Sequence, residues 1–217
     1  MSANNPAAAE LFGLLSAFWQ PPDEKFWSNL ADGSVDAELA NFSQLAGFLP
    51  PSSPPALFQQ TLPELDALKL FYLRCFIGIG KQSALPVESI YKKWTEDPTA
   101  RLPIAGSTGY LMGDPALHAK YLLDHYQLQV PPDYRMMPDH LLLLLELLSF
   151  LLENRPIAEA ALFLRQHFDW LDSFAEALEA IDPENPEDDL AKRFYQLALC
   201  NLKQSVQCQL AKYDQVH

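Results

Sequence analysis

Apolar residues recur along most of this chain at the three- and four-residue spacing of helices that bury one face. The pattern predicts helices over 7–19, 23–31, 35–49, 63–77, 114–128, 138–153, 156–181 with an internal break, and 186–213. Alternation with a period of two and β-branched enrichment is missing, so no strand is expected. The 18 prolines fall between the periodic segments. Pro21-Pro22, Pro50-Pro51, Pro54-Pro55 and Pro131-Pro132 mark connections. Pro63, Pro115, Pro138, Pro156 and Pro186 stand where a helix can begin without losing an N–H bond. All eight glycines lie at or before Gly113, five of them within 78–113 beside Pro86, Pro98 and Pro103. The expected architecture is therefore all-α, a single globular bundle of about eight to ten helices. It divides into an N-terminal lobe (about 1–80), an ordered, loop-rich connection (about 81–113) and a C-terminal lobe (about 114–217). No fixed-period repeat points to a solenoid.

The most apolar stretch, 141–152, is 12 residues long and interrupted by Glu146. A bilayer needs ~20, so this is a core helix and no stable membrane insertion is expected. Pro138 and Asp139 read as its first turn, where a carboxylate interacts well with the positive helix end. Asp139, Glu146 and Glu153 recur every seven residues as one polar stripe, with His140 at the mouth of the bundle. The residues themselves leave two readings open. Asp139 and His140 either cap and pack locally, or face a ligand.

Composition narrows the functional classes. Hydrophobic residues make up 49%, including 13 Phe, 8 Tyr and 4 Trp, which excludes disorder as the main state. The net charge of -13 disfavours nucleic acid and anionic membranes and favours a basic peptide. Residues 1–113 carry 7 basic and 11 acidic side chains, residues 114–217 carry 8 and 17, and the segment 169–189 holds nine acidic residues and no basic one. Lys25 is the first basic residue, so no charged leader region precedes the apolar stretch 11–19 and a cytoplasmic location is expected. Cys75, Cys200 and Cys208 form no CxxC pair and are expected as free thiols.

Signatures of catalysis are weak. Gly78-Ile79-Gly80-Lys81 echoes a phosphate-binding turn without its strand, and no GxSxG, HExxH or GxxxxGK[ST] occurs. His118, His125 and Tyr121 share a helix face that His140 could join, but no carboxylate or cysteine set completes a metal site. No enzyme activity, cofactor or metal is expected. The rivals are a nucleotide- or metal-dependent hydrolase built around Asp139 and His140, and a helical scaffold that only oligomerises.

Three ordered stretches resemble one family. Tyr72-Leu73-Arg74-Cys75-Phe76-Ile77-Gly78 looks like a YxxLFxG helix end, Pro86-Val87-Glu88-Ser89-Ile90-Tyr91 like a PYESVY loop, and Met137-Pro138-Asp139-His140 leading into Leu145-Glu146-Leu147-Leu148-Ser149-Phe150-Leu151 like a PxDH motif with its LELxFL helix. Together they resemble the TorD/DmsD family of chaperones for molybdenum oxidoreductases. Cys75 stands in place of the usual Leu, Val87 in place of an aromatic, and Arg135 or Met136 where an acidic residue is common. The resemblance implies an all-helical cytoplasmic protein that binds the twin-arginine signal peptide and the body of a molybdopterin oxidoreductase until its cofactor is inserted.

Such a leader presents two guanidinium groups and then an apolar stretch, so its receptor needs carboxylates beside an apolar groove. The matched motifs nominate Pro138, Asp139, His140, Glu88, Ser89 and Glu146 as client-binding residues. Tyr72, Phe76, Tyr91 and Trp94 are the aromatic candidates around the connection, Tyr91 and Trp94 being best placed for an open groove. The glycine-rich connection also suggests a monomer with a minor domain-swapped dimer.

Overall fold

The computed structural model describes residues 5–48, 58–79 and 81–215. The expected connections at Pro50-Pro51 and Pro54-Pro55, the expected helix end at Leu49 and Gly80 lie outside them. The helices are α1 (Pro6–Ser16), α2 (Glu24–Ala31), α3 (Ser34–Leu45), α4 (Phe58–Thr61), α5 (Leu65–Cys75), α6 (Glu88–Tyr91), α7 (Asp114–His125), α8 (Leu141–Asn154), α9 (Ile157–His167), α10 (Leu171–Glu179) and α11 (Pro186–Asp214). Short 3-10 turns cover Ala17–Trp19 and Pro132–Tyr134. Among the described residues there is no strand, only one isolated bridge between Val87 and His140. The all-α class is as expected.

Local chemistry explains where the helices begin. The side chains of Asn5, Asp23 and Asn185 accept the N–H groups of Ala8, Phe26 and Asp188, so three helices start on capping oxygens. Proline occupies the first turn of α1, α7 and α11, where its missing donor is no loss. The break foreseen within 156–181 falls between His167 and Leu171.

The helix foreseen from Pro138 is corrected: α8 begins at Leu141, and His140 is its N-cap with extended backbone. The reason is a competing set of hydrogen bonds. Leu141 N–H donates to the Pro86 carbonyl (2.8 Å) and Glu88 N–H to the Asp139 carbonyl (3.2 Å), holding 139–141 against the 86–88 loop, while His140 N–H closes a turn on the Met137 carbonyl (3.0 Å). Asp139 is thus off the helix, and the seven-residue stripe reduces to Glu146 and Glu153.

α8 is the hub. Every residue from Leu141 to Leu145, and then Leu147, Leu148, Leu151 and Leu152, is buried. α1 packs along it, with the Ser149 hydroxyl donating to the Ala9 carbonyl (2.8 Å). α11 closes the other side over α4, α5, α9 and α10. Trp19, Phe71, Phe76, Phe174 and Tyr195 meet there at ring separations of 4.6–6.2 Å. One contiguous cluster of buried side chains draws on both ends of the chain.

The connection is stitched by its own backbone. Trp94 N–H donates to Ser107 O (2.9 Å), Thr95 N–H to Ala105 O (3.0 Å) and Gly109 N–H to Ile90 O (2.8 Å). Its end is fixed where Asp114 N–H reaches the Trp94 carbonyl (2.7 Å); a Cβ on Gly113 would sit 2.6 Å from that oxygen, so only glycine fits. No helix among the described residues is long and apolar enough to cross a membrane. Cys75, Cys200 and Cys208 are free thiols.

Candidate functional site

Two of the sequence motifs, 50 residues apart, form one structural unit. Where Val87 bridges His140, the Asp139 Oδ2 atom accepts the Ser89 N–H at 2.7 Å. Asp139 therefore satisfies an N–H in the first turn of α6 from a distant part of the chain, as a capping residue does locally. Both Asp139 and Ser89 are fully buried, and among the described residues Asp139 Oδ1 and Ser89 Oγ make no hydrogen bond. Burial pushes the Asp139 carboxyl up in pKa, the Ser89 contact opposes this, and the nearby Glu88 charge adds to it. His140 caps α8 by accepting the Leu142 N–H on Nδ1 (3.2 Å), so its proton sits on Nε2. Burial lowers its pKa to about 3 and keeps it neutral.

Beside this clamp runs a chain of ionisable groups. Glu88, fully buried, meets His167 Nδ1 through Oε2 (2.6 Å) and Lys92 Nζ through Oε1 (2.8 Å). Lys92 also reaches Asp169 (2.5 Å) and the Gln166 carbonyl (2.6 Å). Burial opposes its charge, but Glu88 and Asp169 hold its pKa above the usual lysine value. His167 Nε2 lies 2.8 Å from His118 Nδ1, and the two rings stack at 4.9 Å. Burial, and then His167, lowers the pKa of His118. This chain walls a cavity of about 520 Å³ that Glu96 and Asp114 also line.

All of the nominated residues but Glu146 are buried or half-buried, and of them Glu88 lines this cavity. Tyr72 and Phe76 are core: the Tyr72 hydroxyl donates to the Trp19 carbonyl (3.2 Å), and Phe76 packs edge-on against Tyr195 at 4.6 Å. Pro138, Asp139, His140, Glu88 and Ser89 are buried. Tyr91 is half-buried and stacks on Trp170 at 5.3 Å. Trp94 is half-buried too, its indole N–H donating to the Leu111 carbonyl (3.3 Å). Glu146 alone of the set is exposed, on α8, and its partly desolvated carboxyl is raised in pKa.

The acidic segment 169–189 is largely paired. Asp169 meets Lys92, Asp172 meets Lys203, Glu184 and Asp188 meet Arg74, and Asp189 meets Arg193. His125 stacks on Tyr121 at 5.9 Å, while His118 turns to His167. Among the described residues no group of three or more His, Cys, Asp or Glu is placed to hold a metal ion. His167 and Lys92 escaped the sequence reading. His167 is 79 residues from Glu88, and only the inward register of Phe163 and Leu164 on α9 hints that it is buried.

Since Asp139 donates no proton to a cap but accepts one N–H, amide and carboxylate should serve alike. Asp139→Asn is expected to stay within about 1 kcal/mol of the parent, and Asp139→Ala to lose roughly 1–3 kcal/mol by stranding the Ser89 N–H. Urea unfolding of both variants checks this. Equal losses would show that the charge, not the hydrogen bond, matters.

Comparison with known proteins agrees with the motifs. A protein named Chaperone protein TorD, from Actinobacillus succinogenes, is 33% identical over 125 residues, 57% of this chain and 55% of that relative. This chain thus spans about half the length of the curated relative it matches. The family model described as nitrate reductase delta subunit matches residues 31–197, well over half of the sequence, and the chain belongs to that family, in keeping with the TorD/DmsD resemblance of its motifs.

Proposed function

We propose that this protein is a non-catalytic cytoplasmic chaperone that binds the twin-arginine leader of a partner molybdenum oxidoreductase and holds the enzyme until its molybdopterin cofactor is inserted. One observation carries the reading: the motif residues are spent on each other. Glu88, Ser89, Asp139 and His140 join two loops into a buried clamp, an arrangement that builds a rigid frame for binding and leaves no substrate access to an Asp139/His140 pair. A hydrolase built on those two residues therefore loses its support. The named relative and the net charge of -13 favour a cationic protein client. In solution the protein is a monomer with a minor swapped dimer.

Affinity for such a leader is expected to fall as salt rises, because exposed charge pairs are screened over about 10 Å at 0.1 M. Calorimetric titration of candidate leaders at two salt concentrations tests this. Equal binding by a leader whose two arginines are replaced with alanine would sink charge pairing as the mechanism.

A further inference from the structure

The cavity beside Glu88 continues into a second one. His118 on α7 and Gln166 on α9 line both, so the spaces of about 520 and 300 Å³ form a single trough along the two helices. Its ends differ in chemistry. At one end four carboxylates (Glu88, Glu96, Asp114, Asp169) face two ammonium groups (Lys92, Lys93), leaving two negative charges uncompensated. At the other, Leu122, Leu151 and Phe163 line the trough, with Tyr121 and Leu162 left 62% and 56% exposed. Arg155 at that end is matched by Glu159 (2.9 Å) and adds no net charge.

Exposed large apolar side chains on two neighbouring helices, converging on one trough, mark a surface that gains by being covered. An acidic end with a deficit of two positive charges and an apolar end in line with it fit an extended segment carrying two adjacent cations followed by apolar residues. We propose that the α7–α9 trough is where such a segment docks, its two cations at Glu96 and Asp169 and its apolar part on Tyr121 and Leu162. This rests on the leader-binding reading above and assigns it a surface distinct from the buried motif residues, which hold the trough's floor through Glu88 and His167. The exposed face of α5 (Leu70 and Leu73, then Ile77 and Ile79 beyond its end) is the competing surface, but there Glu184 and Asp188 share Arg74 and leave one negative charge over, against two at the trough, where Lys93 and Lys92 pair with Glu96 and Asp169.

The experiment is a titration of a synthetic leader, two consecutive arginines followed by an apolar stretch, against the full chain and three surface variants. Glu96→Lys and Leu162→Asp should each weaken binding on the order of tenfold at low salt, and Leu70→Asp should change it less than about twofold. The Glu96→Lys effect should vanish with a leader whose arginines are alanine, which ties that residue to the cations. Thermal melts verify that each variant is folded, and hydrogen exchange of the parent should show protection of 117–125 and 158–166 on binding. Binding that survives both trough variants, or that responds to Leu70→Asp instead, overturns the trough while leaving leader recognition standing. A parent protein that binds no leader overturns both.

Discussion

Glu88→Ala is expected to cost about 3–5 kcal/mol of folding stability, the largest effect of any single substitution considered, because it breaks a buried charge pair on one side only. Glu88 is wholly enclosed and divides its two oxygens between His167 and Lys92. Its removal leaves an imidazole N–H without its acceptor and an ammonium in partly desolvated surroundings, with Asp169 and the Gln166 carbonyl as its remaining partners. It also opens a cavity at the junction of α6, α7 and α9. Glu88→Gln keeps an oxygen for His167 and most of the volume, so a loss of roughly 1–2 kcal/mol is expected. For a chain of this length each kcal/mol lowers the melting midpoint by about 2–4 °C, and the two variants should separate clearly in a thermal scan. Similar small losses for both would mean that the Glu88 hub is incidental and that the clamp is held by the backbone bonds between 86–88 and 139–141.

The fold was largely legible because its signals are local. Helical periodicity, capping Asn and Asp, and proline at first turns act within a few residues of where they are read, and they located α1, α2, α5, α7 and α11 to within a residue or three. Position 138 shows where such reasoning ends. A proline followed by a carboxylate ahead of a leucine run is a good helix start by any local rule. Here the Pro86 carbonyl and the Glu88 N–H, 50 residues upstream, compete for the same backbone and win. The site was legible as a set of motifs but not as geometry. Glu88, Asp139 and His140 were recognisable from their surroundings in sequence, yet their burial depends on which loop packs against which, and His167 and Lys92 are joined to them only in three dimensions. Tyr72 and Phe76 went the same way: aromatic residues at helical spacing look alike whether they face a groove or a core, and here they face Trp19 and Tyr195. Trp94 and Gly113 were singled out as loop residues, and their pairing explains why a loop of this length holds its shape.

The second large effect concerns acid. His140 has a pKa of about 3 in the folded protein because burial disfavours its charged form, against about 6.5 in an unfolded chain. Between those two values the unfolded state binds the proton and the folded state does not. Stability therefore is at its full value above pH ~6.5 and is lost as the pH falls, at up to ~1.4 kcal/mol per pH unit, until the folded-state pKa is reached. His118, whose pKa is also lowered, contributes in the same direction. Asp139 works against them: its carboxyl is raised, so the folded state takes up that proton first and the acid loss is partly offset near the carboxylate range. A variant that caps α8 without titrating isolates the histidine. Asn at position 140 can accept the Leu142 N–H and carries no proton equilibrium, so His140→Asn is expected to start from a lower stability at pH 7, through lost packing against Tyr134, yet to fall less steeply towards pH 4. Urea midpoints of parent and variant at half-unit steps from pH 7 to 4 give the two slopes. Parallel lines would mean that His140 is protonated in the folded state at mild acidity, and that its burial does not govern the acid response.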